Sequence, residues 1–388
     1  MSKLLQFIKE HKDWRELLKA PPYNLFVKEK DNYTLFMYNV YDSDLSDPIV
    51  QEARGLIIDH DNLMVVCRAF DKFFNYGEPN AAEIDWESAE VQEKVDGSII
   101  KVWWDKDWHI STQSTIDARD AIFSDDQYGN FFWQFIAAFE RYLGMDLVPC
   151  SGSIKWKFFD KYLSKEYTHI FELVSPKTKV VVDYPENRVY YIGCRETATG
   201  KEIPVPKLDE SLPVYYPKKY PLKTLEGCLN AAQYMNANDT VEEEGFVVVD
   251  KYFHRIKIKS PKYIEMHHMA TINPSDYRLL EIILNGEMQE VLVYFPKLKE
   301  RFEPINNTVL EIVRELGETI RSLKNNKELV SDRKAMVDYI KANYEHRYFD
   351  PIIRGVYNDS DPYTWFEFMS KDNRKEYVLR DYRRVISC

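Results

Sequence analysis

Hydrophobic residues near the start of the chain recur at spacings of three and four, which is typical of an amphipathic helix. This pattern predicts a helix over residues 2–20 that ends at Pro21-Pro22. From residue 33 the pattern changes to short runs rich in β-branched and aromatic residues, which predict strands. The strands expected in this region are residues 33–41, 55–59 and 64–70.

Between residues 98 and 260 the pattern predicts mostly paired strands. The predicted strands are residues 98–104, 108–112, 169–174, 179–183, 188–194, 245–250 and 254–259. Short polar turns separate the first two strands, and also the fourth from the fifth, so these are expected to form hairpins. The last two strands are expected to form a β pair. Helical spacing predicts helices over residues 131–143 and 154–163, and five prolines in residues 201–222 predict an irregular connection.

After Pro261 the apolar spacing becomes helical. The predicted helix cores are residues 277–284, 291–295, 309–323, 335–344 and 364–369. The chain therefore predicts an α+β fold with two domains. Residues 1–260 are expected to form a domain of antiparallel sheets with helices, and residues 261–388 an all-α domain.

The composition changes this picture little but narrows the class of protein. Hydrophobic residues make up 45% of the 388 residues and charged residues 30%, which is ordinary for a globular protein. The net charge of −11 argues against a general nucleic-acid coat, whose surface would be basic. Residues 260–388 hold 20 basic and 21 acidic residues, so the excess negative charge lies in residues 1–259.

The sequence predicts a cytoplasmic protein that does not bind membranes. Charged residues follow the first few apolar ones, so neither a signal peptide nor a membrane anchor is expected. The five cysteines are an odd number and lie far apart, which argues against a disulfide framework and against a structural zinc site. We expect a reducing compartment with inert thiols.

The segment Glu93-Lys94-Val95-Asp96-Gly97-Ser98 is the first candidate for chemistry. The sequence contains neither a dinucleotide-binding glycine fingerprint nor a P-loop, so phosphates would have to be held by side chains. Taken alone, the segment is equally well explained as a surface turn before a strand. Other residues elsewhere in the chain favour the chemical interpretation.

The run Arg255-Ile256-Lys257-Ile258-Lys259 alternates strictly, so in a strand Lys257 and Lys259 lie on one face. Two ammonium groups so close repel each other unless an anion lies between them. The alternative is a solvated edge face. Glu242-Glu243-Glu244 precedes the neighbouring strand and supplies the oxygen ligands that a divalent cation prefers.

Three further positions carry charged side chains that also favour the chemical interpretation. Lys72 and Phe74 share one side of an extended segment, so a cation and a ring are expected together. Arg54 stands beside Gly55, where the backbone can be approached closely. Glu172 interrupts an apolar strand, and a buried carboxylate needs a partner such as a ribose hydroxyl, a metal or a lysine.

Together these residues resemble the nucleotidyltransferase motifs of polynucleotide ligases and capping enzymes. Lys94-Val-Asp96-Gly97 resembles motif I, Phe171-Glu172 motif III, residues 181–195 motif IIIa, Glu244-Gly245-Phe246-Val247 motif IV and Lys257-Ile-Lys259 motif V. Tyr38-Asn39, Glu52-Ala-Arg54-Gly55 and Asp71–Asn75 more specifically resemble the bacteriophage RNA ligase 1 family. The helical tail is similar to that family as well, whereas DNA ligases usually continue into an OB-fold.

The resemblance implies an ATP-dependent RNA ligase that joins 5′-phosphate and 3′-hydroxyl ends of single-stranded RNA, in RNA or tRNA repair. Lys94 would be the nucleophile that carries AMP, with Mg²⁺ or Mn²⁺ as the metal. The nucleotide-binding residues that it implies are Tyr38, Arg54, Lys72, Phe74, Asp96, Gly97, Glu172, Val247, Lys257 and Lys259. The implied metal ligands are Glu172, Glu244 and Glu287. A monomer is expected, in the host cytoplasm if a phage encodes it.

Two other functions stay open on the sequence. The chain could be a nick-sealing RNA or DNA ligase of the same superfamily, or a non-catalytic RNA-binding module with a degenerate nucleotide pocket. The family commonly has a further lysine near the position of Gln113, which puts one adenylate contact in doubt. The basic segment Lys371–Arg384 fits either RNA binding or a solvated amphipathic helix.

Overall fold

The computed structural model describes residues 2–40, 43–126, 128–143, 157–208, 212, 214–236, 241–268, 274–344, 348–357, 375 and 378–382. The chain divides into two compact units. The first is Met1–Tyr38 with Asp42–His267, and the second is Asn39–Tyr41 with His268–Cys388. Each unit has a hydrophobic core of its own.

The first unit begins with two short helices, α1 (Lys3–Glu10) and α2 (Trp14–Lys19). The sequence predicts a single helix here. The structure interrupts it at His11, whose backbone is extended, with φ −123° and ψ 117°. The Phe7 carbonyl oxygen at the end of α1 accepts the backbone N–H of His11 at 3.1 Å, and the His11 ring nitrogen Nδ1 lies 2.9 Å from the same oxygen.

Four antiparallel strands form the first sheet, in the order β1-β2-β3-β4. They are β1 (Phe26–Lys30), β2 (Tyr33–Met37), β3 (Arg54–Asp59) and β4 (Met64–Cys67), with the helix α3 (Pro48–Glu52) between β2 and β3. The sequence pattern predicts three of these strands and misses β1 and α3. The ladder between β2 and β3 contains a bulge at Gly55, because Phe36 pairs with Leu56 and Met37 pairs with Arg54.

The second sheet has the strand order β11-β10-β9-β7-β8. Its strands are β7 (Ser98–Asp105), β8 (Asp107–Thr112), β9 (Tyr167–Val174), β10 (Arg188–Glu196) and β11 (Glu202–Ile203). The predicted hairpin of β7 and β8 is confirmed, as is the helix α4 (Phe131–Leu143). Apolar residues of α4 such as Phe135 and Phe139 share one core with Ile100, Phe171 and Tyr191 of the sheet. A short helix, α5 (Lys157–Tyr162), precedes β9 within the expected range 154–163.

The hairpin predicted from residues 179–183 and 188–194 is wrong. Strand β10 pairs with β9 on one edge and with β11 on the other, and residues 179–183 form no strand. The backbone N–H groups of Val181 and Val182 instead donate to the carboxylate of Asp96, at 2.9 and 2.8 Å. These donors are therefore not free to join a ladder.

The third sheet has the strand order β12-β6-β13-β14-β5. Its strands are β5 (Phe74–Asn75), β6 (Glu90–Glu93), β12 (Lys219–Tyr220), β13 (Gly245–Val249) and β14 (Arg255–Lys259). The predicted pair of β13 and β14 is confirmed as antiparallel, and β5 joins β14 in parallel. The helix α6 (Leu225–Tyr234), which the pattern does not predict, packs against this sheet through Cys228 and Ala232. Helix α7 (Pro261–His268) follows β14.

The described residues of the second unit contain helices and no strand, as the sequence predicts. The helices are α8 (Asp276–Leu284), α9 (Met288–Tyr294), α10 (Lys299–Asn325), α11 (Lys327–Ser331), α12 (Arg333–Asn343) and α13 (Phe349–Tyr357). Leu316, Ile320 and Leu323 of α10 form a core with Met336 and Ile352. The helix core expected at residues 364–369 and most of the basic segment at 371–384 lie outside the described residues.

Two simpler expectations concern thiols and membranes. Cys67, Cys194 and Cys228 are buried and unbridged, in line with inert thiols; the other two cysteines lie outside the described residues. Within the described part of the chain, none of the helices has both the length and the apolar character that crossing a bilayer requires.

Candidate active site

A cavity of about 450 Å³ in the first unit collects charged residues that are far apart in the sequence. The charged residues that line it are Arg54, Glu93, Lys94, Glu172, Arg255, Lys257 and Lys259. Strands of all three sheets contribute to its wall. The structure therefore brings together most of the residues that the sequence predicts, in one place on the first unit.

Lys94 follows directly after β6 and is anchored at both its backbone and its side chain. Its backbone N–H donates to the Gly245 carbonyl oxygen at 2.8 Å, next to the start of β13. Its Nζ donates to Glu244 Oε2 at 2.6 Å. The antiparallel pairing of β6 with β13 sets this contact, since it brings residues 150 positions apart side by side.

Glu244 bridges two lysines. Its Oε2 accepts from Lys94 and its Oε1 lies 3.2 Å from Lys259 Nζ. The Glu244 side chain is only 3% exposed, whereas the Lys94 side chain is 21% exposed. A buried carboxylate thus balances two ammonium groups at the edge of the cavity.

The alternation predicted for β14 is confirmed. Ile256 and Ile258 are buried in the core of the third sheet, and Lys257 and Lys259 both line the cavity. Arg255 lies in the same alternating set and lines the cavity too, while its guanidinium pairs with Glu202 and lies 4.4 Å from the centre of the Phe70 ring. Arg255 is therefore a site residue that the resemblance does not include, although the two-residue period of the strand indicates it.

Glu172 projects from β9 into the cavity. Burial raises its pKa to about 8, and the negative charges of Glu244 and Asp96 act in the same direction. Lys94 and Arg54 oppose this shift without cancelling it. Without a bound cation, Glu172 is therefore protonated at neutral pH.

Arg54, at the start of β3, lines the cavity with its guanidinium 5.1 Å from the centre of the Phe73 ring. Its Nη1 atom is buried and finds no hydrogen-bond partner in the described part of the chain. A buried guanidinium nitrogen without an acceptor is costly, so an anion placed there would be stabilised.

Tyr38, Lys72 and Phe74 lie together, but not in the wall of this cavity. Lys72 Nζ is 5.2 Å from the centre of the Tyr38 ring and 5.3 Å from that of Phe74. Lys72 and Phe74 line a second cavity of about 380 Å³, which shares Phe70, Phe73 and Arg255 with the first. The predicted meeting of a cation with a ring is confirmed, and the contact of these residues with a nucleotide stays a prediction.

Asp96 is buried beneath the cavity wall rather than exposed in it. Its carboxylate accepts hydrogen bonds from Val181, Val182 and the Tyr263 hydroxyl, the last at 2.8 Å. Tyr263 lies 167 residues after Asp96, and no local pattern indicates this contact. Asp96 thus ties the segment after Lys94 to a loop and to helix α7, which fixes the direction of that segment.

Gly97, Val247 and Gln113 line the cavity. A Cβ at Gly97 would lie 2.5 Å from the Leu173 carbonyl oxygen, so only glycine fits there. Glu287 belongs to the second unit, where it precedes α9, and its role as a metal ligand stays a prediction.

The described residues contain no group of three or more His, Cys, Asp or Glu side chains arranged to hold a metal ion. Glu172 and Glu244 are close enough for the charge of one to shift the pKa of the other. Mg²⁺ is commonly held by one or two carboxylates together with substrate phosphates and water. The pair therefore fits a metal that binds jointly with a phosphate, not a metal caged by the protein alone.

Comparison with known proteins identifies the family. The family model described as RNA ligase matches residues 52–263, more than half of the chain. An RNA ligase of Rhodothermus phage RM378 is 26% identical over 332 residues, covering 67% of this chain and 72% of the phage protein. An archaeal ATP-dependent RNA ligase, form 2, has 15% identity and a TM-score of 0.44, covering 87% of this chain and 88% of the archaeal one.

A protein of Autographa californica nuclear polyhedrosis virus is 31% identical over 293 residues. It carries the provisional name bifunctional polynucleotide kinase/RNA ligase. The match covers 70% of this chain but only 40% of the viral protein, so this chain corresponds to less than half of that relative. With the matched residues 52–263 spanning the whole set from Arg54 to Lys259, the chain belongs to the RNA ligase family.

Proposed function

We propose that this chain is an ATP-dependent RNA ligase that uses Lys94 as its nucleophile. The observation that carries the proposal is that Lys94, whose Nζ contacts buried Glu244, lines the same cavity as Arg54, Lys257 and Lys259. An amine that faces several fixed cations is placed to attack a phosphate, because the same cations stabilise the charge that develops there.

In the first step Lys94 Nζ bonds to the α-phosphorus of ATP and the bond to the bridging oxygen breaks. Pyrophosphate leaves with that electron pair, and lysyl-AMP remains. An ordinary lysine, with a pKa of about 10.4, is protonated at neutral pH, so Nζ must first lose a proton. The Glu244 carboxylate, 2.6 Å away, is the base nearest to that proton.

The remaining steps transfer AMP to RNA and seal the ends. An oxygen of an RNA 5′-phosphate attacks the AMP phosphorus and displaces Lys94, which takes up a proton again. A 3′-hydroxyl then attacks the activated 5′-phosphate, AMP leaves, and a phosphodiester forms. Arg54, Lys257 and Lys259 line the space where these phosphates would lie.

A divalent cation, Mg²⁺ or Mn²⁺, would neutralise phosphate charge when bound. Glu172 and Glu244 are the residues that would hold it. Glu172 is protonated at neutral pH without a cation, and a nearby positive charge favours the ionised form, so binding of the metal would release this proton.

The covalent intermediate provides the direct test. Incubation with α-labelled ATP and Mg²⁺, followed by a denaturing gel, is expected to show a labelled band for the wild type and none for Lys94→Ala. The matched control is Lys12→Ala, since Lys12 is an exposed lysine outside both cavities. A labelled band in Lys94→Ala would contradict the assignment of the nucleophile.

The RNA substrate needs a separate experiment. We expect the labelled enzyme to join 5′-phosphorylated single-stranded RNA to a 3′-hydroxyl end more efficiently than it seals nicked duplexes or DNA. Faster sealing of a nick would favour the nick-sealing alternative. A wild type that binds RNA but never becomes labelled would favour a non-catalytic RNA-binding module.

A further inference from the structure

Lys101 is a buried lysine that the proposed reaction does not use. It lies in the middle of β7 with 0% of its surface exposed. Its Nζ donates a hydrogen bond to the carbonyl oxygen of Gly55, and its other partner is the Cys67 thiol. Burial of an amine is costly unless the amine forms hydrogen bonds. An apolar side chain at this position could not form them.

The partner of this amine is an unusual backbone group. Gly55 is the extra residue of the bulge between β2 and β3, and its φ of +77° lies in the left-handed region. Bulges turn the neighbouring side chains away from the regular direction of the strand. Here the neighbouring side chain is Arg54, whose guanidinium lines the cavity.

The surroundings of Gly55 leave no room for a side chain at this position. A Cβ on Gly55 would lie 2.6 Å from the Gln113 carbonyl oxygen and 2.9 Å from Lys101 Nζ. The bulge of the first sheet is therefore packed directly against β7 and the end of β8 in the second sheet. Lys101 supplies the hydrogen bond across this junction, since a buried carbonyl left without a donor would destabilise the bulge.

Burial lowers the pKa of Lys101, and the positive charge of Arg54 acts in the same direction, whereas Cys67 opposes the shift. The charged and the neutral form of the amine can both donate to the Gly55 carbonyl, so this contact does not depend on the protonation state. Gln113, which stands near the position where the family commonly has a lysine, lies at the same junction.

We propose that Lys101 is a positioning residue for Arg54: its amine holds the carbonyl of the bulge glycine and thereby fixes the Arg54 guanidinium in the cavity. The inference rests on the proposed function, because it takes Arg54 to bind the phosphates of ATP. Lys101 itself does not line the cavity and touches no substrate.

A double-mutant cycle on nucleotide binding tests this role. The probe is the ATP analogue with a methylene group between its α- and β-phosphorus atoms, which cannot lose pyrophosphate, with Mg²⁺ present. Lys101→Met keeps the length of the side chain and removes the donor. We expect it to weaken binding of the analogue about 10-fold, and Arg54→Ala to weaken binding at least as much. In the double variant, Lys101→Met is expected to add nothing to the effect of Arg54→Ala.

Two further variants test whether Lys101→Met weakens binding only because it destabilises the fold. Val102→Ala removes buried apolar atoms from the next position of β7 without touching Gly55, and it is expected to lower the melting temperature yet bind the analogue as the wild type does. If Lys101→Met does not fold, Lys101→Gln, whose shorter amide cannot reach the same carbonyl, takes its place in the cycle.

The possible results distinguish a failure of the positioning role of Lys101 from a failure of the proposed function. Wild-type affinity in Lys101→Met, or effects of the two single variants that multiply in the double variant, would overturn the positioning role. A wild type that neither binds the analogue nor becomes labelled by α-labelled ATP would overturn the proposed function. Labelling of the wild type together with a multiplicative cycle would overturn only the role of Lys101.

Discussion

Two lysines of the first unit, Lys94 and Lys72, lie in different surroundings. Lys94 contacts a carboxylate, Glu244, which also contacts Lys259. Lys72 lies between two aromatic rings, those of Tyr38 and Phe74, and forms no ion pair with a carboxylate of the described residues. The first arrangement couples each charge to its neighbours, whereas the second stabilises a single cation.

The surroundings of Lys94 and Lys72 represent two ways in which a protein can hold cations that bind phosphate. We call Lys94, Glu172, Glu244 and Lys259 the Lys94 cluster. Its charges depend on one another, because Glu244 contacts both lysines and the charges of Lys94 and Glu244 both act on the pKa of Glu172. Around Lys72 the rings attract the cation without neutralising it, so its full charge stays available to an anion. Removal of one group should therefore matter far more in the Lys94 cluster than around Lys72.

The largest effect is expected for Glu244→Gln. This change leaves Lys94 and Lys259 without their shared carboxylate, and loss of one partner of a buried ion pair costs about 3 kcal/mol. The free energy of unfolding, measured with urea, should fall by that amount. Labelling with α-labelled ATP should slow by about 100-fold or more, because proton acceptance and metal binding are lost together.

The control for this variant lies two residues away. Glu242→Gln makes the same chemical change at an exposed carboxylate of the same acidic run, and it should alter neither stability nor labelling. Equal effects of the two substitutions would show that the acidic run acts through its overall charge, and the comparison between the two lysines would fail.

A smaller effect, which depends on pH, is expected for Glu172→Gln. In the folded protein Glu172 keeps its proton up to about pH 8, and in the unfolded chain it loses the proton near its ordinary pKa of 4.5. Between these values Glu172 binds more protons in the folded state, so its contribution to the free energy of unfolding falls as the pH rises. Urea titrations without metal between pH 5 and 8 should show this slope reduced in the variant, by up to about 1.4 kcal/mol per pH unit.

The same titration sharpens the contrast with Lys72. Lys72→Met removes a cation whose surroundings are rings, so the pH slope should stay as in the wild type. An unchanged slope in Glu172→Gln would instead mean that Glu172 is ionised in the folded protein without metal.

The smallest effect on stability is expected for Lys72→Met itself. Loss of a cation between two rings should lower the free energy of unfolding by about 1 kcal/mol or less. If Lys72 binds a phosphate of ATP, the KM for ATP in the labelling reaction should rise about 5-fold, with little change in the rate at saturating ATP. Tyr38→Phe keeps the ring and serves as the control, with wild-type stability expected.

The sequence predicted the parts of the site that depend on local periodicity. Alternation in β14 placed Lys257 and Lys259 on one face, and the structure confirms that both line the cavity. The same kind of reasoning failed for residues 179–183, because the β-branched run Val180-Val181-Val182 is typical of a strand. Their backbone donors are instead taken by Asp96, which lies 85 and more positions earlier in the chain.

Lys101 shows why other residues could not be found from the sequence. Ile99 and Trp103, which share its face of β7, are apolar and are compatible with burial of Lys101. Its hydrogen-bond partner, the Gly55 carbonyl, comes from another sheet and follows only from the packing of β7 on the Gly55 bulge. The resemblance implies that Tyr38, Lys72 and Phe74 bind the nucleotide that Lys94 attacks. The structure places Lys72 and Phe74 in the wall of the adjoining cavity, since the segment from Phe70 to Phe74 contributes to both walls.

The sequence by itself determined the fold class, the order of the motifs and the faces that their side chains share, because these depend on periods of two and 3.6 residues along the chain. Only the tertiary structure decided which carboxylate neutralises which lysine. Lys94 and Glu244 are 150 residues apart, and their contact exists because β6 pairs with β13 in one particular register. Such a register is the joint result of all the side chains packed on both faces of the sheet, which no local pattern contains.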